Sequence, residues 1–360
     1  MADPLDWIWI AVCVPSKMEV DAGCWILRFC IAGTLPGMQD VLWPSGLSNS
    51  KKGEFMRVTG FALVLVILLS ASSHVHSQMP VMRGGTMLEC SGLPCVDLTL
   101  ANGKRLRMLI DTGDAQPVLD SGVAKELGLE VGPVKDGEGK VIPQYGVATV
   151  SRAKVGDGAL ADLKMLVMDL SEMISKGQMP KADGSLTYTV FKNRVLEMDY
   201  PKKMVRFSDP LTSDMACPVA APGRCEELTT PTFGKKGPPI LVATGFSVNG
   251  KPITAQIDSL YGGTMLIYPH AVDKLGLSNA AKSEKKRLFP YTDGGVDMLE
   301  AGPAQEAFQD RVLSKDATVY FATPKVHVPD GMFDGTVGQE LLGKSALVMD
   351  LKGMRVWMRG

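Results

Sequence analysis

Asn102-Gly103-Lys104-Arg105-Leu106-Arg107-Met108-Leu109-Ile110-Asp111-Thr112-Gly113 and Asn249-Gly250-Lys251-Pro252-Ile253-Thr254-Ala255-Gln256-Ile257-Asp258-Ser259-Leu260 follow one plan, 147 residues apart. Each opens on Asn-Gly, a strong hairpin signal, runs through an apolar-rich stretch, and ends on an Asp followed by a hydroxyl residue. Further landmarks return in the same order. Leu127-Gly128-Leu129 recurs as Leu275-Gly276-Leu277, Asp183-Gly184 as Asp334-Gly335, and Met198-Asp199 as Met349-Asp350, with offsets that drift only from 147 to 151. A fixed order at a nearly fixed spacing indicates a duplicated unit.

The unit reads as a small β domain. Val96 to Leu100 and Arg105 to Ile110 form a hairpin around Asn-Gly; Ile240 to Val248 and Ile253 to Ile257 form its counterpart. A short helix ending in Leu-Gly-Leu follows each acid turn, and Pro269 suits the first turn of the second one. Each copy closes with an Asp-Gly turn and a hairpin: Arg194 to Asp199 with Lys203 to Ser208, and Leu347 to Asp350 with Met354 to Met358. Pro210, Pro218 and Pro222 mark the linker between them.

Composition agrees with a globular, turn-rich chain. Of 360 residues, 45% are hydrophobic, and 38 Gly with 23 Pro imply many short elements, which favours β structure. Lys and Arg number 38 against 39 Asp and Glu, so a strongly basic nucleic-acid binder is excluded. Only His74, His76, His270 and His327 are present, too few for a His-rich zinc site or a Ser-His-Asp triad. No metal and no cofactor are expected.

The N-terminal region carries a targeting signal. From Met56 the chain reads Met-Arg-Val-Thr-Gly, an apolar run from Phe61 to Leu69, then small residues, with Val75 and Ser77 at -3 and -1 of a cut before Gln78. The run is too short to span a bilayer, so the mature chain has no permanent membrane span and is secreted or periplasmic. Residues 1–55 precede this leader, lack clear periodicity, and read as a mis-assigned extension, with Met56 as the initiator; Lys51-Lys52-Gly53-Glu54 can encode a purine-rich ribosome-binding site just upstream. A mature chain from Gln78 retains Cys90, Cys95, Cys217 and Cys225. An even count in an exported chain suggests disulfides. Three pairings exist, of which Cys90–Cys95 and Cys217–Cys225 join the nearest neighbours; free thiols are the alternative.

Asp111-Thr112-Gly113 is uninformative as a bare tripeptide, since Asp120-Ser121-Gly122 follows nine residues later and reads as a helix cap. Context separates the two: only Asp111 follows the hairpin and has a repeat partner, Asp258. Two carboxylates facing one another across a pseudo-twofold axis cannot both ionise cheaply and share one proton. The ionised one takes a proton from an intervening water, and the protonated one donates to the amide carbonyl under attack. Thr112 and Ser259 can lock the turns together, and Gly113 lets the backbone approach the carboxylates.

On Leu109-Ile110-Asp111-Thr112-Gly113, Leu127-Gly128-Leu129 and Asp334-Gly335-Thr336-Val337-Gly338 before Leu341-Leu342, the chain resembles the retropepsin-like aspartic proteases of bacterial type. The resemblance implies a mainly β fold of two tandem retropepsin-like (acid protease) β-barrel domains in a bilobal, pepsin-like arrangement. Residues 1–55 are the extension, 56–77 the signal peptide, 86–208 the first domain, 209–225 a linker, and 226–359 the second domain. It also implies an endopeptidase acting on peptide or protein substrates through Asp111 and Asp258, one acid per lobe, under flaps. Tyr145-Gly146 and Tyr291 to Gly295 are placed as flaps would be. Surface loops are the plain alternative.

Departures from the family pattern open two other readings. Leu260 stands where the family has Gly, and Gly262 and Gly263 can allow a shifted turn; Thr187 stands where the second copy has Gly338. The chain is then either a catalytically silent peptide-binding protein or an active homodimer pairing Asp111 with Asp111. Gly338 to Ser345 also fits a phosphate-loop pattern, but the residues after it read as a hairpin, so no nucleotide is expected.

Overall fold

The computed structural model describes residues 7–12, 25–30 and 80–359, except 136–137, 178, 213–224, 233–238, 278–285, 289–296 and 323–331. The chain separates into two units, Met1–His74 and Val75–Gly360. In the first, Trp7–Val12 pairs antiparallel with Trp25–Cys30, a hairpin to which the sequence reading assigned no element. The expected leader, the cut before Gln78, Cys217 and Tyr291 lie outside the described residues.

The second unit is mainly β, with a closed barrel. In its first half Leu93–Thr99 and Arg105–Asp111 form the expected hairpin. Gly184–Thr187 then lies parallel to Arg105–Asp111, with Thr187 beside Asp111, and antiparallel to Val118–Asp120. The second half repeats this pattern. Val242–Val248 and Lys251–Ile257 form the hairpin, and Gly335–Val337 runs parallel to Lys251–Ile257 and antiparallel to Met265–Ile267. Asn249 and Gly250 both take positive φ, 49° and 74°, which is the tight turn that Asn-Gly favours.

The recurring Asp-Gly landmark has a packing reason. Asp183 accepts from the Arg107 N–H at 2.6 Å, and Asp334 accepts from the Thr254 N–H at 2.9 Å, so each ties its closing strand to the acid-bearing strand. The glycine that follows lies against a neighbouring strand: a Cβ at Gly184 would sit 2.1 Å from the Val118 carbonyl oxygen, and one at Gly335 would sit 2.4 Å from that of Leu266. No other residue fits without moving backbone.

The halves share a sheet. One end of it runs in the order Glu226–Thr229, Arg355–Arg359, Ala346–Asp350, Val195–Asp199, Met204–Ser208, Met82–Thr86. Within this stretch Val195–Asp199 and Ala346–Asp350 pair antiparallel with Glu197 opposite Val348. The two positions lie 151 residues apart, the offset that separates Met198-Asp199 from Met349-Asp350. Glu197 is 1% exposed there and is ion-paired with Arg206 and Arg359. One apolar core then runs through both halves, from Leu98 and Ile110 to Phe246 and Ile257.

Helices are few and short. Asp120 caps Ser121–Glu126 by accepting from the Gly122 and Val123 N–H groups, and Pro269 opens Pro269–Lys274. Leu341 and Leu342 are buried core residues of Gln339–Leu342, and the stretch after Ser345 is the strand Ala346–Asp350 rather than a helix. The phosphate-loop pattern at Gly338–Ser345 therefore lacks the strand-loop-helix setting it needs.

Candidate active site

Asp111 ends its strand and Asp258 immediately follows its own, with the Asp258 N–H donating to the Val337 carbonyl at 3.0 Å. Each acid also folds the turn behind it. Asp111 Oδ1 accepts from the N–H groups of Gly113 and Asp114 at 2.9 and 3.1 Å. Asp258 Oδ1 accepts from Leu260 and Tyr261 at 2.9 and 3.1 Å. The sequence reading allowed a turn shifted by Gly262 and Gly263, and the structure corrects this: the Asp-Ser-Leu turn has the geometry of Asp-Thr-Gly. Leu260 is not among the residues with positive φ, so the backbone there tolerates a side chain.

The two turns meet. The Thr112 N–H donates to Ser259 Oγ at 3.0 Å, and the Ser259 N–H donates to Thr112 Oγ1 at 3.0 Å. Ser259 Oγ donates onward to the Ile110 carbonyl at 2.6 Å. Both hydroxyl residues are fully buried. Gly113 lies over the second acid: a Cβ there would come within 2.5 Å of Asp258 Cγ. A methyl there would need the space that the carboxyl group fills, so either the acid or the turn would have to move.

Electrostatics follow from this closeness. Asp111 is held well above the usual carboxylate range, first by burial, then by the neighbouring charge of Asp258, then by that of Asp114. Hydrogen bonds from Gly113 and Asp114 only partly oppose the rise. An acid pushed up this way keeps its proton while its partner ionises, which is the division of labour acid–base catalysis needs.

Sequence reasoning missed the contribution of Gln256. Its Nε2 donates to the Gly113 carbonyl at 2.8 Å across the two halves, and its Oε1 accepts from Thr336 at 3.3 Å. Thr336 in turn shares a hydrogen bond with the Tyr268 hydroxyl at 3.1 Å. The first half has Leu109 at the matching position, so a lone polar residue two places before Asp258 was the available signal.

Thr187 and Gly338 are each explained by their neighbours. A Cβ at Gly338 would fall 2.3 Å from the Tyr261 carbonyl oxygen, so glycine is required. In the first half the Ala115 carbonyl, one residue beyond the counterpart of Tyr261, accepts from the Thr187 and Thr189 hydroxyls at 3.2 and 2.7 Å. A hydroxyl replaces the close approach.

Tyr145 and Gly146 lie within the strand Val141–Val150, which forms a hairpin with Gly132–Lys135. Tyr145 is half-buried and Gly146 is buried beneath Val131. Cys90 and Cys95 form a disulfide, and Cys225 is also disulfide-bonded. Among the described residues no group of three or more His, Cys, Asp or Glu is placed to hold a metal ion, and no helix is long and apolar enough to cross a membrane.

Residues 96–190 match the model of a family described as aspartyl protease. The match supports an aspartic protease family and, with it, a peptide substrate. It spans the Asp111 turn and ends before the second half. No curated protein matches the chain.

Proposed function

We propose that the chain is an aspartic endopeptidase built from two tandem copies of one β domain, with Asp111 and Asp258 as a single intrachain dyad. The observation that carries this reading is the reciprocal pair of hydrogen bonds between Thr112 and Ser259, which holds the two acid turns together. The raised pKa of Asp111 beside Asp258 accords with it. Duplication is supported by the matched Asp-Gly ties and by the Glu197–Val348 pairing.

In this mechanism Asp111 holds the shared proton and Asp258 is ionised. A water between them loses a proton to Asp258 as its oxygen attacks the scissile carbonyl carbon. Asp111 donates its proton to the carbonyl oxygen, giving a neutral gem-diol. Collapse of that intermediate breaks the C–N bond; the amide nitrogen takes the proton from Asp258, and Asp111 recovers one from the diol. The leader and export are part of the same proposal, and a disulfide at Cys90–Cys95 accords with an oxidising compartment.

Cleavage of a denatured protein or peptide library at acidic pH tests the activity. Asp111→Asn and Asp258→Asn should each lower it by at least about 10²-fold. Loss with the first variant alone would instead support a homodimer pairing Asp111 with its counterpart. Peptide binding without cleavage by the unaltered chain would leave only a binding protein.

A further inference from the structure

The loop behind Asp111 continues into the wall of an open cavity of about 570 Å³. Ala115 and Gln116, four and five residues past the acid, form one side of it. Val147, which directly follows Tyr145-Gly146 in the strand Val141–Val150, forms another, and Thr189 of the short turn Tyr188–Phe191 a third. This wall is tied to the acid turn: the Thr189 hydroxyl donates to the Ala115 carbonyl at 2.7 Å, and Thr187 lies beside Asp111 in register. The charged residues of the cavity are Lys164, Lys192 and Asp162, all exposed. Among the described residues neither lysine has an ion-pair or hydrogen-bond partner. A smaller recess of about 200 Å³ abuts the cavity, since Thr189 and Lys192 line both. Its other walls are mainly apolar, with Pro239, Leu241, Leu351 and Met354.

Two unpaired lysines against one acid favour an anionic occupant, and the apolar recess beside them favours burial of an apolar side chain. A small free anion would leave the recess unfilled. A peptide supplies both groups on residues close in sequence, at roughly 3.3 Å of extended chain per residue. We propose that the double cavity is an exosite for substrate. It takes an Asp or Glu side chain against Lys164 and Lys192, and a large apolar side chain from a nearby substrate residue in the recess. The proposal rests on the peptidase reading and deepens it, since it assigns a substrate class: chains with an acidic–apolar segment away from the scissile bond. Lys164 and Lys192 stand outside the acid pair, so they act on binding and not on bond breaking.

The test uses the full chain and a series of peptides with one cleavable core. A Glu-Leu pair is moved outward from the scissile bond, one residue at a time on either side, and each peptide has a Gln-Leu control. At one placement Glu should lower KM by about 5-fold relative to Gln with kcat unchanged, and the advantage should fade at high salt. It should vanish in the double variant Lys164→Gln with Lys192→Gln, and pass to a Lys-bearing peptide when both lysines become Glu. Replacing the Leu by Ser should raise KM by a similar factor. Fluorescence anisotropy with labelled peptides and the Asp111→Asn chain gives a second readout, free of turnover, and should rank the peptides in the same order. Equal KM for Glu and Gln at every placement, or a Glu advantage that survives loss of both lysines, would overturn this inference alone. Acid-dependent binding without cleavage of any peptide by the unaltered chain would overturn the peptidase reading and keep the site as a binding site for acidic peptides. Neither cleavage nor binding would overturn both.

Discussion

Thr112 and Ser259 hold one another symmetrically: each backbone N–H donates to the other's hydroxyl at 3.0 Å, across 147 residues of chain. Neither bond reaches solvent, so removing one hydroxyl leaves buried groups with nothing to replace it. Ser259→Ala orphans the Thr112 N–H and takes a donor from the Ile110 carbonyl. A buried polar group left unpaired costs about 1–3 kcal/mol, so the variant should lose about 3 kcal/mol in denaturant unfolding. Ser259→Thr keeps the hydroxyl and should recover most of it. Equal stability for the alanine variant and the unaltered protein would show that these bonds do not hold the halves together.

Gly113→Ala separates folding from chemistry. Its methyl would fall 2.5 Å from Asp258 Cγ, so either the acid or the turn must move. The site is half-buried, and the turn can yield at small cost to folding. Catalysis is less forgiving, because a displacement of about 1 Å at reacting groups can cost on the order of 10²-fold in rate. The expected outcome is a nearly unchanged melting temperature with peptide cleavage lowered to that extent. Full activity would mean that Asp258 does not work from the position described.

The parts of the fold that were legible in the sequence are those with local causes. Asn249-Gly250 demands a turn with two positive φ values, Asp120 caps the helix it precedes, and the Asp-Gly pairs recur because each tie needs both residues. The shared sheet was not legible, since nothing in Val195–Asp199 names Ala346–Asp350 as its neighbour. Within the site, the hydroxyl after each acid announced a lock between the turns. At Leu260 the sequence could not separate two causes of the missing glycine: glycine in its counterpart answers a steric demand from the opposite carboxyl, not a backbone demand of the turn itself.

Gln256 extends the site sideways, and its removal should act on activity more than on stability. Gln256→Leu copies the first half's Leu109 and keeps the size of the side chain. It deletes the bond to the Gly113 carbonyl, which is close to the surface and open to water as a substitute donor. The stability loss should be about 1 kcal/mol. The fall in kcat should exceed any change in KM, because the bond positions a catalytic turn and touches no substrate. A change confined to KM would place Gln256 in substrate binding instead.

Glu306 makes the stability of the second half pH-dependent. It is fully buried, and burial pushes its pKa up to about 7 from an ordinary 4.5. Thr264 and Lys344 pull it down and Glu340 pushes it up, and neither influence outweighs burial. Because the folded value lies above the unfolded one, the contribution to stability is complete below about pH 4.5 and is lost as pH rises through about 7. The span corresponds to about 3 kcal/mol. Glu306→Gln removes the ionisation and keeps the shape, so its unfolding free energy should stay flat between pH 5 and pH 8 where the unaltered protein's falls. Asp111, also raised, contributes with the same sign, and the comparison is therefore made in an Asp111→Asn background. An equally steep fall with and without Glu306 in that background would place the titrating group elsewhere.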